Sequence, residues 1–160
     1  MNIEELLVQF VDILDNEIEL LLQIRYRLIV LGAIADVDQG RSIPRAVSET
    51  EKVCEQLRLS ELMRGSVTAE ITEILGIEPT ARIDEIAQSV NEVWRDILLE
   101  RRSSLIETVR DIQEVAAWVT KEMGTRAALA SEALGFLKTD SGSTYGRSAP
   151  RGGLLVEGAI

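Results

Sequence analysis

Between Ala81 and Leu137 apolar side chains recur every three or four residues, at Ile83, Ala87, Val90, Trp94, Ile97, Leu105, Val109, Ile112, Ala116, Val119 and Met123. That period belongs to a helix and not to a strand. Arg101 stands in the series between Ile97 and Leu105, so the seam carries one charged interruption and no proline. Read as one helix, the stretch is roughly 80 Å long at about 1.5 Å per residue. Such a helix takes most of its stability from partners laid alongside it. The pattern predicts a spine against which the rest of the chain folds.

The same reading applies from the beginning of the chain. Ile3, Leu7, Phe10, Leu14, Ile18, Leu21 and Leu28 form a stripe, broadened by Leu6, Val11, Leu22 and Ile29, over a helix predicted from Ile3 to about Ala35. Asn2 is placed to cap it, with Glu4 and Glu5 in the first turn. A stripe this broad predicts contact with more than one neighbour. Residues 36–42 read as a turn. Ser42 and Pro44 open a second helix, predicted to run to about Arg64 and to lie antiparallel to the first. Its apolar face carries Val47, Thr50, Cys54, Leu57 and Met63, while Glu49, Glu51, Glu55 and Glu61 fall mainly elsewhere. Gly65 and Ser66 predict a kink or an end, Thr68 to Leu75 a further short helix closed by Gly76, and Thr80 a cap for the long helix.

Two further features divide the chain. Gly124, inside the predicted long helix, marks a hinge or frayed turn, because glycine costs about 1 kcal/mol relative to alanine in a helix. Beyond it Ala127, Ala128, Leu129, Ala130, Ala133, Leu134, Phe136 and Leu137 keep an apolar face going. From Thr139 the composition changes to Ser, Gly, Pro and Arg, which predicts a flexible tail with little means of fixing a core. The expected architecture is therefore all-α, an elongated antiparallel helical bundle or coiled coil with one very long C-terminal helix. It comprises a bundle domain over residues 1–138 and a tail over residues 139–160.

Composition narrows the functions open to such a bundle. The net charge is −10, with 27 acidic against 17 basic residues and no histidine. Phosphate contacts need basic side chains, so nucleic acid and anionic membrane surfaces are disfavoured. The purely apolar runs are too short to span a bilayer, and no basic secretory leader opens the chain, so a cytoplasmic protein is expected. The single cysteine, Cys54, lies on an apolar helical repeat and reads as a small buried residue. Lack of histidine removes the Ser-His-Asp triad, the Cys-His pair and the Glu-x-x-His ligands of a four-helix metal site. The glycine clusters at residues 141–143 and 151–153 have neither the lysine nor the strand-to-helix setting of a phosphate loop. No enzyme, cofactor or metal is expected. The acids read as solvated faces, and Arg101, beside Glu100 and Arg102, as a surface or interhelical ion-pair position.

The Leu-rich opening helix, Thr50-Glu51-Lys52 with Leu57, the Glu100-Arg101 step, and Leu134-Gly135-Phe136-Leu137 ahead of Thr144-Tyr145-Gly146 resemble the flagellar export chaperones of the FlgN family, over residues 3 to 146. The resemblance implies a small acidic cytoplasmic helical protein. Such a protein binds the hook–filament junction proteins FlgK and FlgL and delivers them to the export gate of the flagellar type III apparatus. It implies client binding at the end of the long helix, matching residues 125–137, with Leu129, Leu134, Phe136 and Leu137 as the apolar candidates. It implies docking on the export gate through Tyr145. The chain departs from a typical member at Gly124-Thr125-Arg126 and in the Gly-rich stretch after Arg147.

The residues themselves support the mode of action. An amphipathic helix whose apolar face lacks internal partners accepts a partner helix in its groove. The alternatives are that those residues close a homodimer, or that the protein is a structural coiled coil or self-assembling adaptor with no client.

Overall fold

The computed structural model describes residues 1–123, and in these there are only helices and turns. Helix α1 spans Ile3–Ala33, α2 Ile43–Leu75, α3 Ile83–Gln88 and α4 Glu92–Met123, with a 3-10 turn at Val37–Gly40 between the first two. As the sequence predicts, Asn2 starts α1. Its Oδ1 accepts from the Glu5 backbone N–H at 2.9 Å, while Glu5 Oε2 accepts from the Asn2 N–H at 3.1 Å. This reciprocal box satisfies donors that a helix start otherwise leaves unpaired.

The link from α1 to α2 turns through three left-handed residues, Asp38, Gln39 and Gly40. Asp38 and Gln39 bear the strain of that conformation. The Asp38 carboxylate takes up the Ser42 N–H at 3.2 Å and the Ser42 hydroxyl, closing the turn. These hydrogen bonds hold the Asp38 carboxyl below its ordinary titration range. Pro44 then sits in the first turn of α2, where no helical N–H is required of it.

α2 does not stop at Arg64, and Thr68 to Leu75 is not a separate helix. The helix runs unbroken through Gly65 and Ser66. Both residues face outward, and nothing lies within 4 Å of a Cβ added at Gly65. The buried seam bypasses them through Arg64, Val67, Thr68 and Ile71. Packing of that seam outweighs the propensity loss at one exposed glycine. The stop comes at Gly76, left-handed at φ +66°, where Ile77 N–H bonds Thr72 C=O at 3.1 Å and Gly76 N–H bonds Glu73 C=O at 3.4 Å. This is a Schellman cap.

The helix expected to begin near Ala81 is likewise two helices. α3 begins after Arg82, not at a Thr80 cap, and ends at Ser89, whose N–H bonds Ile86 C=O at 2.9 Å. Asn91 then starts α4, accepting the Trp94 N–H on Oδ1 at 3.1 Å. The apolar spacing Ala87, Val90, Trp94 passes through this break because both pieces bury their apolar side chains in one core. By folding back on α4, α3 and the loop ahead of it insert Ala81, Ile83, Ile86 and Ala87 there instead of running past it.

Antiparallel pairing of α1 and α2 is fixed by Arg27 Nη1 to Glu49 Oε2 at 3.0 Å and Asn16 Nδ2 to Ser60 Oγ at 3.1 Å. α4 returns parallel to α1. Asp15 meets Arg101, Arg25 meets Asp111 and Gly32 meets Trp118, a constant offset of 86 residues. The architecture is up-down-up, and α1 packs against both α2 and α4, which accounts for its broad stripe. The spine is thus α1 and not the 81–137 stretch. No helix among the described residues is long and apolar enough to cross a membrane.

Candidate functional site

The residues assigned by sequence to client and gate binding, Leu129, Leu134, Phe136, Leu137 and Tyr145, lie outside the described residues, as do Gly124 and the tail. What the structure places is the end of the bundle from which that segment departs. There α4 presses on the last turn of α1. A Cβ added to Gly32 would stand 2.7 Å from Trp118 Cη2 and 3.1 Å from Val119 Cγ2, so glycine is what lets the indole lie against the α1 backbone. Trp118 is still 41% exposed. Val119 and Met123 are buried, so the apolar stripe of α4 is in phase to its last described residue. The register sets residue 119 level with residue 33, where α1 stops.

α1 also exposes apolar side chains on its outer flank. Tyr26 is 67% exposed and Leu22 half exposed, beside a recess of about 370 Å³ also bordered by Glu19, Gln23 and Arg27. The flank mixes an aromatic, an aliphatic and both charge signs, a surface suited to protein contact more than to a small apolar ligand. Sequence reading finds Leu22 as a broadening of the stripe but does not single out Tyr26.

Arg101 behaves as its position in the seam suggests. Its Nε donates to Asp15 Oδ1 at 2.9 Å and its Nη1 to Glu100 Oε2 at 2.8 Å, tying α4 to α1. The next residue, Arg102, reaches Asp84 Oδ2 of α3 with its Nη2 at 3.9 Å, and Arg82 Nη2 holds the same oxygen at 2.8 Å.

The acids are not all solvated. Glu17 of α1 and Glu61 of α2 are 0% and 1% exposed, and between them lies Arg64, also 1% exposed. Arg64 Nε is 3.1 Å from Glu17 Oε1. None of the four carboxylate oxygens has a hydrogen bond of good geometry. Burial drives the Glu17 carboxyl up to about 7 against the pull of Arg64, and the Glu61 carboxyl up to about 9. The signal was present in the sequence. Leu57, Glu61, Arg64 and Thr68 follow the helical spacing of the α2 seam, as Leu14, Glu17 and Leu21 follow that of α1. Charge at Glu17 and Glu61 makes those positions read as solvated in the sequence.

No group of three or more His, Cys, Asp or Glu side chains among the described residues is disposed to hold a metal ion. Cys54 is buried, and loss of solvation drives its thiol up to about 12, which leaves it protonated and unreactive at neutral pH. Comparison of the chain with protein-family models, with curated proteins and with solved structures finds no match.

Proposed function

We propose that the chain is a cytoplasmic export chaperone of the FlgN type. In this reading it has no catalytic centre. It binds the hook–filament junction proteins through an amphipathic segment at residues 125–137 and presents them to the export gate. The observation that carries this reading is the register at the bundle's end. α4 stays in phase with its apolar stripe to Met123, while α1 has already ended. The same spacing continues in the sequence through Ala127, Ala130, Leu134 and Leu137. An amphipathic stripe of this kind is suited to receive a helix from another protein. The resemblance in Leu134-Gly135-Phe136-Leu137 and Thr144-Tyr145-Gly146 supplies the class of partner, with Leu129, Leu134, Phe136 and Leu137 toward the client and Tyr145 toward the gate.

Calorimetric titration of the full chain with C-terminal peptides of the junction proteins tests this, with light scattering on the same sample. Saturable binding is expected, and Leu134→Glu and Phe136→Glu should each reduce affinity at least tenfold while the helical circular dichroism is kept. A concentration-independent dimer that binds no peptide, and that becomes monomeric in those variants, would assign the stripe to self-assembly instead.

A further inference from the structure

The Glu17–Glu61–Arg64 layer has a consequence independent of any client. Three ionisable side chains are fully buried together, and one of them is a cation. Arg64 at 3.1 Å from Glu17 balances one carboxylate. A second anion at Glu61 would be surplus charge out of water, with no hydrogen bond to either oxygen. Burying such a charge is expensive enough that the group keeps its proton or the site admits water.

Among the described residues the surroundings offer no ready substitute counter-ion. Within α2, Arg58 lies close enough to act on Glu61, but its Nη1 is directed to Glu55 at 3.5 Å on the exposed side. On α1, Asp15 adds a negative charge and is occupied with Arg101. On α4, Arg101 is shared between Asp15 and Glu100, and Arg102 is turned to Asp84 of α3. Beside the layer, Asn16 and Ser60 spend their polar groups on each other at 3.1 Å.

We propose that this layer is a proton-controlled joint between α1 and α2: a proton on Glu61 lets the 61–75 half of α2 close on α1, and its departure opens that half while α1 and α4 stay paired. The asymmetry follows from where the charges sit. The other half of α2 is tied to α1 by Arg27 and Glu49, and the α1–α4 interface by Asp15 with Arg101 and Arg25 with Asp111, all of them at least partly in contact with solvent. Among the described residues the joint alone buries two carboxyl groups against one cation. Its opening therefore releases a proton, and the open fraction rises by as much as tenfold per pH unit between the titration points of the open and closed forms.

Native-state hydrogen exchange of the full chain from pH 6 to pH 9, corrected for intrinsic rates, tests the proposal. Protection of amides 61–75 should fall by about tenfold per pH unit over part of that range and drop clearly below that of amides 98–119 of α4, which exchange only when the whole bundle unfolds. Glu61→Gln keeps the shape of the protonated acid and should flatten the dependence. Glu61→Met, which removes the polar head altogether, should flatten it as well. Equal protection of the two segments at every pH would show global unfolding in place of a local joint, and an unchanged slope in either folded variant would remove Glu61 from the mechanism.

Discussion

Gly32 is the residue at which two physical effects of opposite sign can be separated. Alanine raises intrinsic helix propensity by about 1 kcal/mol over glycine. At Gly32, however, its methyl group would overlap the Trp118 ring, and overpacking of this kind costs roughly 1–3 kcal/mol. Gly32→Ala should therefore destabilise the fold by denaturant titration and shift the emission of Trp118 as the indole is displaced. A gain in stability with unchanged emission would mean that the close approach is not maintained in solution. Glu61 teaches a second lesson at this scale. Its spacing from Leu57 and Arg64 marks it as a seam residue, but only the structure shows that α1 covers it and that α1 brings a further acid, Glu17, to the same place.

At the scale of the element, the caps at Asn2 and Gly76 were legible, whereas the start after Arg82, expected at Thr80, and the interruptions were not. Asn2 and Gly76 act as their residue types suggest, because capping is a contest between a few local hydrogen bonds and water. Gly65-Ser66 and Ser89-Val90-Asn91 show that a local signal alone does not decide whether a helix continues. Gly65 faces solvent, so the seam beneath it carries α2 onward. Asn91 coincides with a place where turning the chain back buries α3. The two glycines of α2 give a paired prediction. Gly65→Ala fills open space in a helix and should stabilise by up to about 1 kcal/mol. Gly76→Ala forces a side chain into a left-handed cap at φ +66° and should destabilise by about 1 kcal/mol. Thermal melts of the two variants against the parent protein check both signs.

At the scale of the whole molecule, the buried acids set how stability depends on pH. Glu17 and Glu61 both titrate above their ordinary value of 4.5, near 7 and 9. The folded state therefore holds protons that the unfolded chain has released. Their stabilising contribution is complete below about pH 4.5 and is lost as pH rises through 7 and then 9. Asp38 and Glu49 are held low by their hydrogen bonds to Ser42 and Arg45, and act in the opposite direction only at more acid pH. Melting temperature should accordingly be highest near about pH 5 and fall toward pH 9, with a shallower fall in Glu61→Gln. A melting temperature that rises between pH 5 and pH 8 would contradict the buried layer.

The sequence by itself determined the helical class, the cap at Asn2, the turn before Pro44 and the antiparallel first pair, and left Arg101 between a surface and an interhelical ion-pair position. These follow from periodicity and from interactions within a few residues. Tertiary structure decided that α1 and not the later stretch is the central helix, that α2 continues past Gly65, that the chain breaks at Ser89 to Asn91, and that Glu17, Glu61 and Arg64 share one buried layer. Each of these depends on which surfaces cover one another. Contacts such as Asp15 with Arg101, 86 residues apart, carry that information, and no local period contains it.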